Sequence, residues 1–521
     1  MDLDISKPTP NHMDEVEYKK ALREFNSLYV NFSDKTEKAL EHLLTFSRFV
    51  FENDLILMFE NSSIRYPRNE KIPSALAAHF MRLGDFDKAI HWIDKALGIN
   101  PNNEINFINK ICWIAGRCED PVQVKSMFET WGRRFADPLT ALASPLKQRH
   151  LAPNRRLKVG YVSGDLKNHS VRYFIEPFFK GHDRSAFELH AFMTMAPDQV
   201  TTFLKPLVEN WHDVKNLNDA GLLTLIRELE IDILVDLSGH TEGQRLAVFA
   251  QRAAPVQVTW FGFMQTLGMK AMDWRLTDWA TSPPGSEQNY TEKLYRLDCM
   301  AAYAPPLNCE TQYPSPHHSN GYVTMVSMNN TRKLGDQALE VWRDILLSNP
   351  NSGLMFIGSD RDAERSHASI APRLMALGYP MERVSIAPRL TMIQFMNLAS
   401  IADFALDSFP ISGGTTTFHA LWMGLPILGL DDPERGGMSS STANTLRGLQ
   451  FEQCVAKDLQ DYLNIASSWI NNSSVIDELR SQCRPALESC AMMDHSARVA
   501  EVENAYRFMW NDYVATATGI A

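Results

Sequence analysis

Residues 407–430 read DSFPISGGTTTFHALWMGLPILGL, and the punctuation of this stretch decides the fold class. The residues before it, IADFALDSFP, form a short apolar run that Pro410 must stop. Ser412, Gly413 and Gly414 make a turn in which the backbone can approach a ligand closely. Thr415, Thr416 and Thr417 then open a helical segment that ends at Gly424, and Pro426 starts the next apolar run, PILGL. The pattern is strand, glycine turn, hydroxyl-rich helix start, strand. A helix start of this kind offers unpaired N–H groups and the positive end of a dipole, which together suit a phosphate. An ordinary capped βαβ unit has the same local pattern, and the turn is neither a Walker A motif nor GxGxxG.

The chain has 521 residues, too many for one core, so two to four domains are expected. A hydrophobic content of 45% and a charged content of 22% are those of a globular protein in water. The net charge of −11 argues against nucleic acid as the main partner. The start, MDLDISKPTP, is acidic and polar, unlike a secretory signal, and no apolar run is long enough to span a bilayer. The seven cysteines are scattered and form no CxxC pair. They predict reduced thiols, a cytoplasmic location and no structural zinc.

Outward from the central stretch, the chain divides by pattern. Residues 1–150 are expected to be α-helical, with amphipathic segments from residue 13 to about 62. The segment SALAAHFMRLGDFDKAIHWIDKALGINPNN follows. In it Ala77, Gly84, Ala89 and Ala96 are small where two helices must meet, and Phe80, Ile93 and Leu97 fill between them. This resembles one tetratricopeptide repeat, with a degenerate second unit in residues 104–135. So few repeats cannot form a superhelix, and a prefix packed on the next domain is expected.

After the basic segment Pro153–Arg156 the rhythm becomes strand and helix: LKVGYVSGD, ELHAFMT, LNDAGLLTLIRELE, DILVDLSG, AAPVQVTWFGF, DWRLTDWAT. Residues 155–305 therefore form one Rossmann-like half. Residues 299–320 are rich in proline and read as a linker. The rhythm restarts at YVTMVSMNNTRKLG and runs through a second half, residues 320–495, with a last helix at 496–521. Two doubly wound domains place a ligand cleft at the carboxyl ends of their strands.

Several loops fall at those ends. GYVSGDLKNHS carries His169, a possible base near neutral pH. DLSGHT carries Asp236 and His240, which could hold sugar hydroxyls or each other. FGF, with Thr266 and Gly268, makes a third turn. MNNTRK places Lys333 where an ammonium can reach a diphosphate between the domains. APRL, at Arg389, offers backbone groups to a nucleobase. Asp360-Arg361-Asp362 has the DxD form of metal-dependent glycosyltransferases, but Arg361 and Arg365 would partly neutralise it, and no metal is expected there.

Together these elements resemble the catalytic region of the O-linked N-acetylglucosamine transferase and SPINDLY family. The likeness is strongest in VGYVSGDLKNHSVRYFIEPF, DILVDLSGHTEGQRLAVFAQRAAPVQVTWFGF, SMNNTRKL and LDSFPISGGTTTFHALWMGLP, and covers about residues 155–512. The resemblance implies a GT-B fold, inversion at the anomeric carbon, no cofactor or metal, and transfer from a nucleotide sugar to protein side chains. It places the family's cleft histidine on His169 and its diphosphate-binding lysine on Lys333, with Asn330 beside it. The phosphate-contacting threonines fall on Thr416 and Thr417, and the basic position near the base on Arg389. The FPISGGTTT run is closer to the plant SPINDLY proteins than to the animal enzyme, so the base is open between uracil and guanine, with a lean to UDP.

The expected function is thus transfer of a sugar to a Ser or Thr hydroxyl of an acceptor protein. The donor would sit at Gly413, Gly414, Thr415, Thr416 and Thr417, with Lys333 stabilising the leaving diphosphate. Transfer to asparagine, or a non-catalytic binding protein with a degenerate transferase domain, are the alternatives.

Overall fold

Short, mostly apolar runs build two parallel sheets. The computed structural model describes residues 53–519 apart from 148, 307–313, 359, 361 and 436–438. The helices expected before residue 53, Cys309 and Arg361 lie outside the described residues. The first sheet contains β1 (Leu157–Ser163), β2 (Phe187–Met193), β3 (Asn210–Asp213), β4 (Ile233–Asp236), β5 (Val256–Thr259), β6 (Trp274–Asp278) and β7 (Lys293–Leu297). Its order is β3-β2-β1-β4-β5-β6-β7. The second contains β8 (Val323–Ser327), β9 (Ser352–Ile357), β10 (Val384–Ala387), β11 (Phe404–Leu406), β12 (Ile427–Leu430) and β13 (Val455–Ala456), in the order β10-β9-β8-β11-β12-β13.

Register follows the apolar runs. β1 lies in line with β2 from Leu157 opposite Phe187 to Ser163 opposite Met193, and Val159 faces Ile233 of β4. All four residues of β4 and all five of β8 are buried, because helices cover both faces. In each half the order reverses beside the first strand, so the loops after β1 and β4, and after β8 and β11, open at a switch point. The strands that the pattern did not announce are β3, β7 and β13. β3 reads NWHD and is only half-buried, and β13 has two residues, so neither leaves an apolar run.

The helical prefix is packed as its small residues require. Helices Lys71–Leu83 and Phe86–Ile99 turn at Gly84, whose φ of 78° suits glycine, and Asp85 caps the second. Ala77, Ala89 and Ala96 are buried at their meeting face. Helices Glu104–Ala115 and Pro121–Trp131 follow, capped by Asn103 and Asp120. Phe128 and Trp131 enter a core shared with Phe192 of β2 and Leu234 of β4. The prefix also reaches the second half, where Gly116 lies against Ile411 and Arg435 pairs with Glu119.

The last helix, His495–Thr518, returns to the first half. Its Tyr506 hydroxyl meets that of Tyr161 at 3.0 Å, and its Glu503 meets His182 at 3.0 Å. Among the described residues six cysteines are free, and no helix is long and apolar enough to cross a membrane.

Candidate active site

Asp407 leaves the end of β11 fully buried, and a short loop is wrapped around its carboxylate. Oδ1 accepts the Gly413 N–H at 2.8 Å and the Asn329 side-chain amide at 2.9 Å, and Oδ2 accepts the Ser412 hydroxyl at 2.6 Å. Burial pushes the carboxyl upward, against the pull of Ser412, Thr442, Gly413 and Lys333. Ser412 in turn accepts the Thr442 N–H at 2.9 Å. A Cβ at Gly413 would lie 2.7 Å from the Asp407 oxygen and 2.8 Å from the Thr416 and Thr417 hydroxyls, so only glycine fits.

Above this network the helix Thr415–Trp422 begins with Gly414 as its cap, which has no side chain to satisfy the first-turn N–H groups. Thr415 and Thr416 are half-buried, and the Thr416 hydroxyl donates to the Asn329 side-chain Oδ1 at 2.9 Å. Two groups expected to contact the ligand make hydrogen bonds within the protein here. Thr417 is fully buried and its hydroxyl meets that of Thr442 at 2.7 Å, while the Gly413 N–H belongs to Asp407. These two groups build the cradle and leave its open face to Gly414, Thr415 and Thr416.

Lys333 closes a short 3-10 turn, Thr331–Lys333, after β8. The chain there is tied to the central loop, since the Gly335 N–H donates to the Phe409 carbonyl at 3.0 Å. The Lys333 ammonium reaches the Ser412 carbonyl at a long 3.4 Å. Burial lowers its pKa and Asp407 opposes that. The cradle thus holds one half-buried cation whose protein hydrogen bond is weak. Asn330 is exposed at the same loop.

His169 sits on the loop after β1, half-exposed, with Nδ1 3.6 Å from the Asp165 carboxylate. Burial lowers its pKa while Asp165 raises it. The helix that follows, Arg172–Gly181, touches the helix of the cradle. The Tyr173 ring stands edge-on to His419 at 4.7 Å, and Phe174 edge-on to Phe418 at 5.8 Å. Tyr303, at the exit of the first half, meets His419 Nδ1 at 2.8 Å. These aromatic contacts join the helix after the His169 loop to the helix that starts at Thr415.

Asp236 and His240, foreseen as acceptor contacts, each bond within the protein. Asp236 is buried, and its carboxylate accepts the N–H groups of Ser238 and Gly239 and the Thr259 hydroxyl. His240 does not bond to it. Its Nε2 meets the Leu267 carbonyl at 3.0 Å, and its ring stacks on Phe128 and stands edge-on to Trp131. The Phe263–Gly268 turn faces the same way, for a Cβ on Gly268 would fall 2.2 Å from Phe128 backbone. These loops receive the helical prefix.

Asp362 caps the helix Ala363–Ala376 and Asp360 accepts the Asp362 N–H, so both carboxylates of the DxD run are engaged in their own turn. Arg389 is exposed, and its N–H donates to the Asp360 carbonyl at 2.6 Å. The sequence reading missed Asn329, Ser412 and Thr442. Polar residues flank the loops too often for their role to be legible before the two loops are brought together.

Two doubly wound sheets, a cleft at their carboxyl ends and a closing helix returned to the first half define the GT-B architecture. Within it the chain belongs to Glycosyl transferase family 41, whose pattern matches residues 141–303 and 304–502. The chain is 32% identical over 392 residues to the Arabidopsis thaliana protein named probable UDP-N-acetylglucosamine–peptide N-acetylglucosaminyltransferase SPINDLY, covering 74% of this chain and 42% of that one. The Arabidopsis protein SEC, which carries the same activity in its name, is 25% identical over 373 residues, 68% of this chain and 37% of that one. The chain thus spans about two fifths of the length of the curated relatives it matches. A mutant of the Thermobaculum terrenum O-GlcNAc transferase superposes with a TM-score of 0.86 at 30% identity, covering 96% of both chains.

Proposed function

We propose that the protein is an inverting, metal-independent glycosyltransferase that moves a sugar from a nucleoside diphosphate sugar to a Ser or Thr hydroxyl of an acceptor protein in the cytoplasm. The observation that carries this is the cradle over Asp407. It combines an uncapped helix start at Gly414–Thr416 with the half-buried Lys333 ammonium, whose protein hydrogen bond is long. The names of the relatives favour UDP-N-acetylglucosamine as donor and a peptide as acceptor.

The chemistry follows from charge. The acceptor oxygen forms a bond to the anomeric carbon as the bond to the β-phosphate oxygen breaks. The electron pair leaves with the diphosphate, and Lys333 and the helix-start N–H groups meet that charge. A donor phosphate oxygen or His169 takes the hydroxyl proton. The downward shift of the His169 pKa keeps the imidazole neutral and able to accept it. Asp360 and Asp362 are held in their own turn, which favours a lysine over a metal as the counter-charge.

The test is intact-mass analysis of acceptor proteins incubated with the full chain, UDP- or GDP-sugars and excess EDTA. A mass increment of one sugar with UDP-N-acetylglucosamine, located by fragmentation on Ser or Thr, is the expected result. An increment on asparagine redirects the acceptor. Activity lost to EDTA and restored by Mg²⁺ or Mn²⁺ refutes metal independence, and no increment with any donor leaves a binding protein.

A further inference from the structure

Away from the cleft, the segment that leads the chain into β8 carries two adjacent histidines, His317 and His318. Asp403, buried at the start of β11, fixes the first of them. Its Oδ1 accepts both the His317 backbone N–H and Nδ1–H at 3.0 Å, and its Oδ2 accepts the Thr324 N–H at 2.7 Å. With the proton held on Nδ1, the Nε2 of His317 presents a lone pair. That atom is buried without a hydrogen-bond partner, and the side chain is 9% exposed. It faces an oxygen: Asp477 Oδ2, on helix Ser474–Glu488, lies 3.9 Å away. His318 Nε2 approaches the same oxygen at 3.0 Å. The other Asp477 oxygen accepts the Ser315 hydroxyl.

An imidazole lone pair set against a carboxylate oxygen is unfavourable unless a proton or a metal ion lies between them. We propose that His317, His318 and Asp477 bind a divalent transition metal of the zinc type. Among the described residues this is the group of His, Cys, Asp and Glu whose ligand atoms converge, all within 4.8 Å of one another. A tetrahedron with bonds of about 2.05 Å places its ligands about 3.3 Å apart, between the 3.0 and 3.9 Å that separate the two imidazoles from Asp477 Oδ2. Two imidazoles and one carboxylate suit zinc, and leave a fourth position for water. The outer shell that such sites need is also built. Asp403 orients His317 as a carboxylate orients a metal-bound imidazole, and Ser315 orients Asp477. Nearby Arg480 gives its guanidinium to the carbonyls of Ala399 and Ala402. Two carboxylates against this one cation leave net negative charge for the ion.

The site is structural. Asp403 precedes β11 and Asp407 follows it, so the metal would sit about 13 Å along the strand from the cradle. It would fasten the segment entering β8 to helix Ser474–Glu488, with no part in the transfer.

The test uses the full chain, stripped with chelator and titrated with ZnCl₂ by calorimetry and thermal melting, with Co²⁺ absorption as a probe of geometry. One equivalent per chain, a raised melting temperature and the strong visible bands of tetrahedral Co²⁺ are expected. His318→Ala, at an exposed position that leaves the fold intact, and Asp477→Asn each weaken zinc binding by roughly tenfold or more. The melting shift caused by UDP stays unchanged in both. No stoichiometric zinc uptake, or uptake that survives in the double variant, overturns the proposal. Zinc uptake is read without donor or acceptor, so its failure is separate from failure of the transferase reading.

Discussion

The two halves of the molecule share a strand order, and each carries a buried aspartate at the exit of its fourth strand, Asp236 as the last residue of β4 and Asp407 just after β11. Both carboxylates collect hydrogen bonds from the turn that follows, and burial pushes both pKa values up. What differs is where the turn faces. Asp236 draws donors from its own turn and from Thr259 next door, and the His240 beyond it is covered by Phe128 and Trp131 of the prefix. Asp407 reaches across to Asn329 on the loop after β8, and so fixes Thr416 and brings the Lys333 turn beside the helix start. The same motif in the same topological place seats the helical prefix in one half and gathers Asn329, Thr416 and the Lys333 turn in the other. The difference lies in the neighbouring lysine and in the partner each aspartate finds, Thr259 next door for Asp236 and Asn329 across the switch point for Asp407.

The strongest way to break this contrast is Lys333→Ala. Removing the charge opposite the leaving group should cut transfer by at least about 10³-fold. The melting temperature should barely move, since the side chain makes one long hydrogen bond. Single-turnover assays with circular dichroism check both, and near-native turnover would remove Lys333 from the chemistry.

His169→Ala tests whether the first half contributes chemistry at all. A loss of about 10²-fold in turnover, with UDP affinity intact, is expected for a proton acceptor. If affinity falls and chemistry does not, the histidine binds donor.

The aspartate pair gives the sharpest comparison. Asp407→Asn places an amide among donors and should weaken UDP binding by about tenfold, from roughly 1–3 kcal/mol of disturbed hydrogen bonding. Asp236→Asn should leave the UDP melting shift as it was. Equal effects on UDP from both variants would mean that the two loops are not functionally distinct.

The smallest effect is in the acid stability of the prefix seat. Burial holds His240 at about 4, below its ordinary 6.5. The folded state therefore favours neutral imidazole, and that stability is complete above pH 6.5 and lost as the pH falls towards 4. Asp236, raised to about 6, acts oppositely: its stability is complete below its ordinary 3.8 and lost as the pH rises through 6. Urea midpoints between pH 4 and 7 should show the His240 slope flattened in His240→Gln, by on the order of 1–3 kcal/mol across the window. An unchanged slope would deny that His240 is sealed by the prefix.

The sequence by itself determined the two α/β halves, the repeat-like packing of Ala77, Ala89 and Ala96, and the helix that starts at Thr415. Each of these is local, written in apolar periodicity and in the placing of glycine and proline. It also offered Lys333 and His169 as candidates, because a cation or an imidazole just past an apolar strand is visible in a linear string. Only the tertiary structure decided which polar groups face the cleft. Thr415, Thr416 and Thr417 are equivalent in sequence, yet the helix turns the last of them into Thr442. Asp236 and Asp407 read alike until Asn329 and Phe128 arrive from distant parts of the chain. The His317–His318 pair and Asp477 are separated by more than 150 residues and share no motif. Side-chain direction and long-range contact are set by packing, and one-dimensional spacing carries no record of either.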